Sequence, residues 1–552
     1  MSGETVEIRF EDRMVPGRIG ETLASALSAA GIRAFRTTAR GAPRGLFCGM
    51  GVCQECLVEI DGRPGQRACM TKIERPLAVK RQQAPVDLTK AAPPATAGRL
   101  KVLTPDILVI GGGAGGLAAA ATAAKAGADV LLVDERPALG GQFYKQPAFP
   151  VRDDAQFAGG RALIAEAQVA GVRFLKGALV WGAFQPLDLM VLQEGSTLKI
   201  TPKRLIVATG TYERGLPVPG WTLPGVMTTG AAQTLLRSYG TLPGRRVLVA
   251  GNGPLNLQVA LELSRAGAEV VGVAELSKPG LSQVSAVAGM AFASPSLLAK
   301  GMGLMAGLTR RGVPVLKGHV LEAVETSADG LVATLARWPR DAAPRRRMEV
   351  DAVCMGYGFH PSNDLLRALD CRHDFDAARG QLVTVRDADC RTTAMQVYAV
   401  GDCTGLGGAP AAVAQGRIAG AAAARALGFK APDPVEARRA LARHGRFQSA
   451  LWRLFDAPFP ALALAKPDTL VCRCEELTRA EIEAGLGQGP ETVGSLKRLT
   501  RVGMGPCQGR YCGPLVAALV AEKGGKAIDG MSFWAPRPPA KPLAISEIAE
   551  RS

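Results

Sequence analysis

The chain has 552 residues, 47% of them hydrophobic, 21% charged and 5% aromatic, with a formal net charge of +17. That length and apolar share exclude a disordered chain and leave room for three or four domains. The positive charge is dispersed, with "RRR" at 345–347 the one compact run, and aromatics are few, so nucleic acid is not expected as a partner. Gly, Lys or Asp interrupts every apolar stretch before about 18 residues, so no segment is expected to span a membrane. No targeting segment is expected ahead of "MSGETVEIRF". The expected setting is therefore reducing and cytoplasmic, with peripheral attachment to the inner membrane face left open.

Residues 1–85 open on the alternating "VEIRFEDRMV", continue with the helical "ETLASALSAAG", and enclose the strand and turn "CLVEIDG" in a cysteine cluster. A small β-rich domain is predicted. Cys48, four residues, Cys53, two residues, Cys56, twelve residues and Cys69 make a C-x4-C-x2-C pattern with a distant fourth cysteine. That is the spacing of plant-type [2Fe-2S] ferredoxins. Gly49 and Gly51 suit a loop that curls around two irons with its N–H groups aimed at sulfur. Zinc prefers paired short spacings, and disulfides belong to small oxidised chains, so both are weaker readings.

Residues 86–100 are rich in Pro, Ala and Thr and read as a linker. From 101 to 240 the segment "DILVIGGGAGGLAAAATAAKAGADVLLVDE" gives strand, glycine turn, helix and strand, one βαβ unit. Gly111, Gly113 and Gly116 form the dinucleotide fingerprint, and Asp134 ends the next strand. The glycines permit a tight turn and a close approach of pyrophosphate to the helix N-terminus, while Asp134 is expected to accept from a ribose hydroxyl. Three further segments accompany them: "GGQ" ending at Gln142, the Ala-Thr-Gly turn with Thr209 and Gly210, and "VYAVGDCTG" with Asp402. Together they resemble the flavoproteins with two dinucleotide-binding domains, in which the Asp approaches the FAD ribityl chain and pyrophosphate. Residues 101–240 and 351–430 are thus expected to form an FAD-binding domain.

A second βαβ unit, 241–350, carries Gly251 and Gly253, but Asn256 replaces the third glycine and Glu275 ends the next strand. If a nicotinamide dinucleotide binds there, Glu275 favours NAD over NADP. A retained scaffold, or a site for another adenine nucleotide, is an equal alternative. Residues 431–465 are Arg-rich and amphipathic, a helical connector. Within 466–530, Cys472-x-Cys474 is followed after thirty-two residues by Cys507 and, four residues later, by Cys512. This resembles the [2Fe-2S] domain of bacterioferritin-associated ferredoxins, with zinc as the rival metal. Residues 531–552 form a tail. Cys354, Cys371, Cys390 and Cys403 have no dithiol spacing and are expected in the core, so a thioredoxin-reductase type of mechanism is disfavoured. His319, His360, His373 and His444 are scattered; His360 is taken as an ordinary loop histidine, and no catalytic residue is named.

The order of ferredoxin loop, FAD fingerprint, second Rossmann unit, "VGDCTGLGGAPAAVAQG" and "CRCEE…GMGPCQGRYCGP" resembles the large flavin subunit of bacterial amine and amino-acid dehydrogenases. Hydrogen cyanide synthase, opine oxidase, hydroxyproline dehydrogenase and heterotetrameric sarcosine oxidase share these parts. The resemblance implies an α/β fold of two nested Rossmann-like units, with an N-terminal β-grasp ferredoxin-like domain and a small helical C-terminal [2Fe-2S] domain. It further implies FAD, two [2Fe-2S] clusters and a heteromer. A second FAD-containing subunit would oxidise the C–N bond of an amino acid, opine or secondary amine, and this chain would relay electrons to a downstream acceptor. The alternative is a self-contained NADH-dependent reductase feeding an oxygenase or a ferredoxin.

Overall fold

Strict alternation makes Thr5–Phe10 a strand with one buried face, and it pairs antiparallel with Arg13–Arg18 and parallel with Leu77–Arg81. Leu57–Ile60 and Arg63–Arg67 complete a five-stranded sheet next to the helix Leu23–Ala29. This computed structural model describes residues 4–83, 100–150, 154–278, 280, 283–544 and 547. The expected linker at 86–100 lies outside them apart from Leu100.

Short strands with apolar centres build two parallel sheets, as central strands buried on both faces must. The first runs in the order Arg173–Lys176, Val130–Asp134, Ile107–Ile110, Arg204–Val207, Val397–Ala399. Helix Ala114–Lys125 lies against the Ala-rich helix Ala409–Arg425; a Cβ on Gly416 or Gly420 would meet backbone of the first helix at 2.2 or 2.4 Å, so small residues set this close crossing. The second sheet runs Val226–Thr228, Ala352–Gly356, Arg246–Gly251, Glu269–Glu275, Val315–Lys317. Its first two strands fall outside 241–350, in segments that the sequence pattern assigns to the flavin half. They are short apolar runs without a period of their own, and sheet pairing decides where they go.

The helix Val435–Leu454 lies in the expected connector and packs Phe447 and Ala450 against Met290 and Ala293. Beyond it come the hairpin Leu470–Cys472 with Leu477–Thr478 and the helices Arg479–Gly487, Val493–Thr500 and Gly513–Gly524. Thr478 and Glu481 close a capping box on the first of these helices, satisfying N–H groups that would otherwise lack a partner. In the tail, the Trp534 ring fills the space over Gly503, Gly509 and Gly513, where added Cβ atoms would lie 2.5, 2.3 and 3.1 Å from it. Among the described residues no helix is long and apolar enough to cross a membrane.

Candidate functional site

Because Ile107–Ile110, Arg204–Val207 and Val397–Ala399 are neighbours in one parallel sheet, the turns that follow them share its carboxyl edge. Gly111 to Gly116, Thr209 with Gly210, and Asp402 are thereby brought together. Gly111 has φ +107°, and a Cβ there would lie 2.4 Å from the Ala208 carbonyl; one on Gly116 would lie 1.8 Å from the Gly111 carbonyl. These two glycines serve the packing of helix on strand. Gly113 differs: its Cβ would meet only Gly141 Cα, at 3.8 Å. It caps the helix N-terminus without a side-chain acceptor, which leaves N–H groups facing open space where a pyrophosphate fits.

Asp134 turns inward. Its Oδ2 accepts from the Gly112 N–H at 2.5 Å and its Oδ1 from the Arg136 N–H at 2.7 Å. Burial raises its pKa. Remaining lone pairs stay available to a ribose hydroxyl. Asp402 Oδ1 accepts from the Gly407 and Gly408 N–H groups at 2.9 and 2.8 Å, and Thr209 Oγ1 donates to the Ser362 carbonyl at 2.6 Å. Gly210 has φ +69° with no atom within 4 Å of an added Cβ, and Gln142 is exposed.

Two buried charged groups near these turns carry no sequence motif. Lys145 Nζ donates to Thr234 Oγ1, and burial, then Arg136, pushes its pKa well down. Glu213 Oε2 accepts from the Gly230 N–H at 2.8 Å while its Oε1 has no hydrogen-bond partner among the described residues. Burial pushes Glu213 up to about 7 from 4.5. Its contribution to stability is therefore full below pH 4.5 and lost as pH rises through about 7. Glu213→Gln is expected to remove that dependence, on the order of 3 kcal/mol. The check is the slope of denaturant midpoints against pH in the flavin-free chain.

At the second turn Gly251 has Gly356 carbonyl only 2.1 Å from an added Cβ, and Gly253 has φ +107°. Asn256, standing where the third glycine is usual, is buried and cross-links three elements. Its Nδ2 donates to the Gly356 carbonyl at 2.8 Å and its Oδ1 accepts from Thr229 Oγ1 at 2.9 Å. Asn256→Ala is expected to cost about 1–3 kcal/mol, because the buried Thr229 hydroxyl loses its acceptor and the Gly356 carbonyl keeps only the Asn252 N–H as donor; urea unfolding checks it. Glu275 Oε2 accepts from the Gly253 N–H at 3.0 Å, and its Oε1 from the Ser277 N–H and hydroxyl. The end of the connector helix meets this turn, where Asn252 Nδ2 donates to the Phe455 carbonyl at 2.9 Å; further on, Trp338 Nε1 donates to the Pro458 carbonyl at 2.8 Å.

The eight clustered cysteines fall into pairs. Cys48 lies with Cys53, and Cys56 with Cys69. In the C-terminal set Cys512 Sγ is 3.8 Å from Cys472 Sγ, and Cys474 lies with Cys507. Met50 and Cys53 N–H groups point at Cys48 Sγ, at 3.5 and 3.4 Å, in a loop whose Gly49 and Gly51 have φ +63° and +76°. Burial raises Cys48, but hydrogen bonds from Cys53 and the backbone bring it down to about 6; the Cys474 hydrogen bond brings Cys507 to about 7. Among the described residues no set of three or more His, Cys, Asp or Glu side chains closes on one ion. Two pairs per set fit a cluster in which each of two irons takes two thiolates; one tetrahedral zinc needs all four at a point.

Although 418 positions separate Glu55 of the first from Arg473 of the second, the two cysteine loops share one apolar cluster containing Cys48, Cys53, Cys507 and Tyr511, with Cys474 against it. Arg136, two residues past Asp134, donates to the Gly49 carbonyl at 3.4 Å, tying the flavin turn to the first loop. Cys354, Cys371, Cys390 and Cys403 are buried, as expected. His360 is not in a loop: it lies buried in the strand Phe359–Pro361, antiparallel to Thr211–Glu213, and burial pushes its pKa well down.

Comparison with known proteins bears on this arrangement. The pyridine nucleotide-disulphide oxidoreductase profile matches residues 105–417, the 2Fe-2S iron-sulfur cluster binding domain 3–84, and the sarcosine oxidase A3 domain 466–551. One subunit of the opine oxidase of Rhizobium meliloti is 32% identical over 457 residues, 81% of this chain and 98% of that protein. The HcnB subunit of the hydrogen cyanide synthase of Pseudomonas aeruginosa is 32% identical over 461 residues, 80% of this chain and 97% of its own length. The alpha subunit of the sarcosine oxidase of Corynebacterium sp. is 25% identical over the whole chain, which spans 57% of that protein. The fold is that of L-proline dehydrogenase from P. horikoshii, with a TM-score of 0.74 at 20% identity, covering 100% of this chain and 98% of that one. The relatives are those that the order of motifs suggested. The chain belongs to the pyridine nucleotide-disulphide oxidoreductase family, as an FAD-dependent oxidoreductase with a 2Fe-2S domain ahead of its flavin half.

Proposed function

We propose that this chain is the electron-transfer subunit of a multi-subunit dehydrogenase that oxidises the C–N bond of an amino acid, opine or secondary amine. The observation that carries the reading is the continuity from the flavin turn through Arg136 to the first cysteine loop and on to the second. FAD would supply two-electron chemistry and the two [2Fe-2S] sites one-electron steps, with Cys48, Cys53, Cys56 and Cys69 holding one and Cys472, Cys474, Cys507 and Cys512 the other. The chain's own residues position these groups: Gly113 and Gly141 leave room for the pyrophosphate, Asp134 and Asp402 brace the turns, and the cysteine loops exclude water. The relatives named as oxidase and synthase subunits support a partner, here a second flavin-containing subunit that would contact the substrate, with an acceptor downstream.

In this reading the second Rossmann unit takes in the strands at 226–228 and 352–356, and the other domain limits stay as drawn from the sequence. The unit acts as scaffold or holds an adenine nucleotide without turnover. Phe455, whose carbonyl accepts from Asn252 on that turn, weighs against a nicotinamide that must reach the flavin. A cytoplasmic setting follows from the reduced thiols that such clusters need.

The test mixes the purified chain with candidate amino acids and opines, alone and with the subunit that co-purifies from its host. The flavin is expected to stay oxidised without the partner and to be reduced with it. Turnover by the single chain at about 1 s⁻¹ or faster, a common enzyme rate, overturns the proposal, and so does bleaching by NADH alone.

A further inference from the structure

Glu55 stands between Cys53 and Cys56, and Arg473 between Cys472 and Cys474. Arg473 Nε donates to Glu55 Oε1 at 3.1 Å, and the two residues are 5% and 0% exposed. The same guanidinium lies 3.8 Å from the ring centre of Phe47 and 4.5 Å from that of Trp221, and its NH1 donates to the Trp221 carbonyl at 3.0 Å. Phe47 precedes Cys48 and Tyr511 precedes Cys512; their rings meet edge to face with centres 5.3 Å apart. Every one of these contacts joins an immediate neighbour of one ligand set to a neighbour of the other or to the wall beside it.

Glu55 also accepts from Arg36 at 3.0 Å and faces Arg44 Nε at 3.7 Å, and Arg44 reaches Glu476 at 3.4 Å. Three guanidiniums thus face two carboxylates, and the seam carries one net positive charge in an apolar surrounding. Buried ion pairs are poor devices for stability, since desolvation offsets most of their attraction and an apolar pair of equal volume would hold the loops as well. What a buried pair does provide is a fixed charge, little screened by salt, at a fixed place. Here that place is within two residues of four of the eight proposed ligands, Cys53, Cys56, Cys472 and Cys474, and against Phe47, the chain neighbour of Cys48.

We infer that Glu55 and Arg473 form a positioning and charge-setting joint shared by both iron–sulfur sites, so that each site's affinity for an electron depends on the same ion pair. The inference rests on reading both cysteine sets as [2Fe-2S] ligands. One-electron reduction adds one negative charge to a site and transfers no proton, so Arg473 favours it and Glu55 opposes it at either loop. An electron on one site also disfavours a second electron on its neighbour, which makes the two sites one coupled store rather than two independent ones.

The test is a redox titration of the full chain followed by electron paramagnetic resonance, with iron, sulfide and zinc counted in every sample. Arg473→Gln is expected to lower both midpoint potentials and Glu55→Gln to raise both, by about 59 mV or more, a tenfold change in a one-electron equilibrium. Arg473→Lys keeps the charge and is expected to stay close to the parent chain, which a purely structural role of the guanidinium fork would not allow. A substitution that moves only the signal of its own loop, or neither signal at full iron content, overturns the inference. If the variants lose iron, the parent chain decides: its two reduced signals are expected to split or broaden each other, and signals that simply add overturn the joint. Zinc, or iron for one cluster only, in the parent chain overturns the two-cluster reading and this inference with it, and the metal count shows that before any potential is measured.

Discussion

Gly113→Ala is expected to fold and to purify with most of its flavin missing, whereas Gly116→Ala is expected to lose stability first. One methyl group is added in each case, three residues apart on the same turn. At Gly116 it would lie 1.8 Å from the Gly111 carbonyl oxygen and 3.0 Å from its carbon, backbone that cannot step aside without parting the helix from its strand. Overpacking of that kind costs about 1–3 kcal/mol or more. At Gly113 the nearest protein atom is Gly141 Cα at 3.8 Å, an ordinary contact, and the backbone there, with φ −83°, accepts any residue. The new methyl fills only the space between the two glycines, which is where the pyrophosphate backbone must come close. Flavin absorbance per chain and denaturant midpoint, measured side by side, separate the two effects. Full flavin content in Gly113→Ala would remove the pyrophosphate from that groove.

Which parts of this arrangement the sequence displays depends on how local their cause is. A glycine turn between an apolar strand and a helix, or four cysteines at fixed spacings, is complete within a few dozen residues, so Gly111, Gly113 and the eight cysteines stand out before any fold is known. Asn256 is visible as a departure from the fingerprint, but not as the cross-link between Gly356 and Thr229, because both partners come from other elements. Asp134 and Glu275 read as ribose ligands from their places at strand ends; their inward hydrogen bonds to Gly112 and Gly253 depend on side-chain rotamers that no spacing encodes. Val226–Thr228 and Ala352–Gly356 are too short to carry a period, and their place in the second sheet is a matter of tertiary pairing. Glu55 and Arg473 are the extreme case. In sequence each is a charged residue in a polar loop, the usual mark of a solvated surface, and only folding across 418 positions makes them a buried pair.

Cys53→Ser and Cys474→Ser are each expected to remove about half the iron and one of two resonance signals, leaving the other signal in place. Cys48 with Cys53 and Cys56 with Cys69 offer two thiolates to each of two irons, and Cys472 with Cys512 and Cys474 with Cys507 repeat the scheme. Serine keeps the size of the side chain but gives up the soft thiolate, so one iron of the pair loses a ligand and the two-iron unit is not retained. The loops are built by different parts of the chain, the first on the β-grasp sheet and the second on the hairpin Leu470–Cys472 and the start of helix Gly513–Gly524, so losing one metal unit does not unfold the other. Their contact through Glu55 and Arg473 still makes the surviving signal sensitive to its missing neighbour: with that unit's net negative charge gone from the seam's surroundings, it is expected to become easier to reduce. Iron and sulfide counts with low-temperature spectra of both variants check this. A stoichiometric zinc in either set, or both signals vanishing together while the chain stays folded, would show that the two sets are not the two separate iron–sulfur sites on which the electron relay depends.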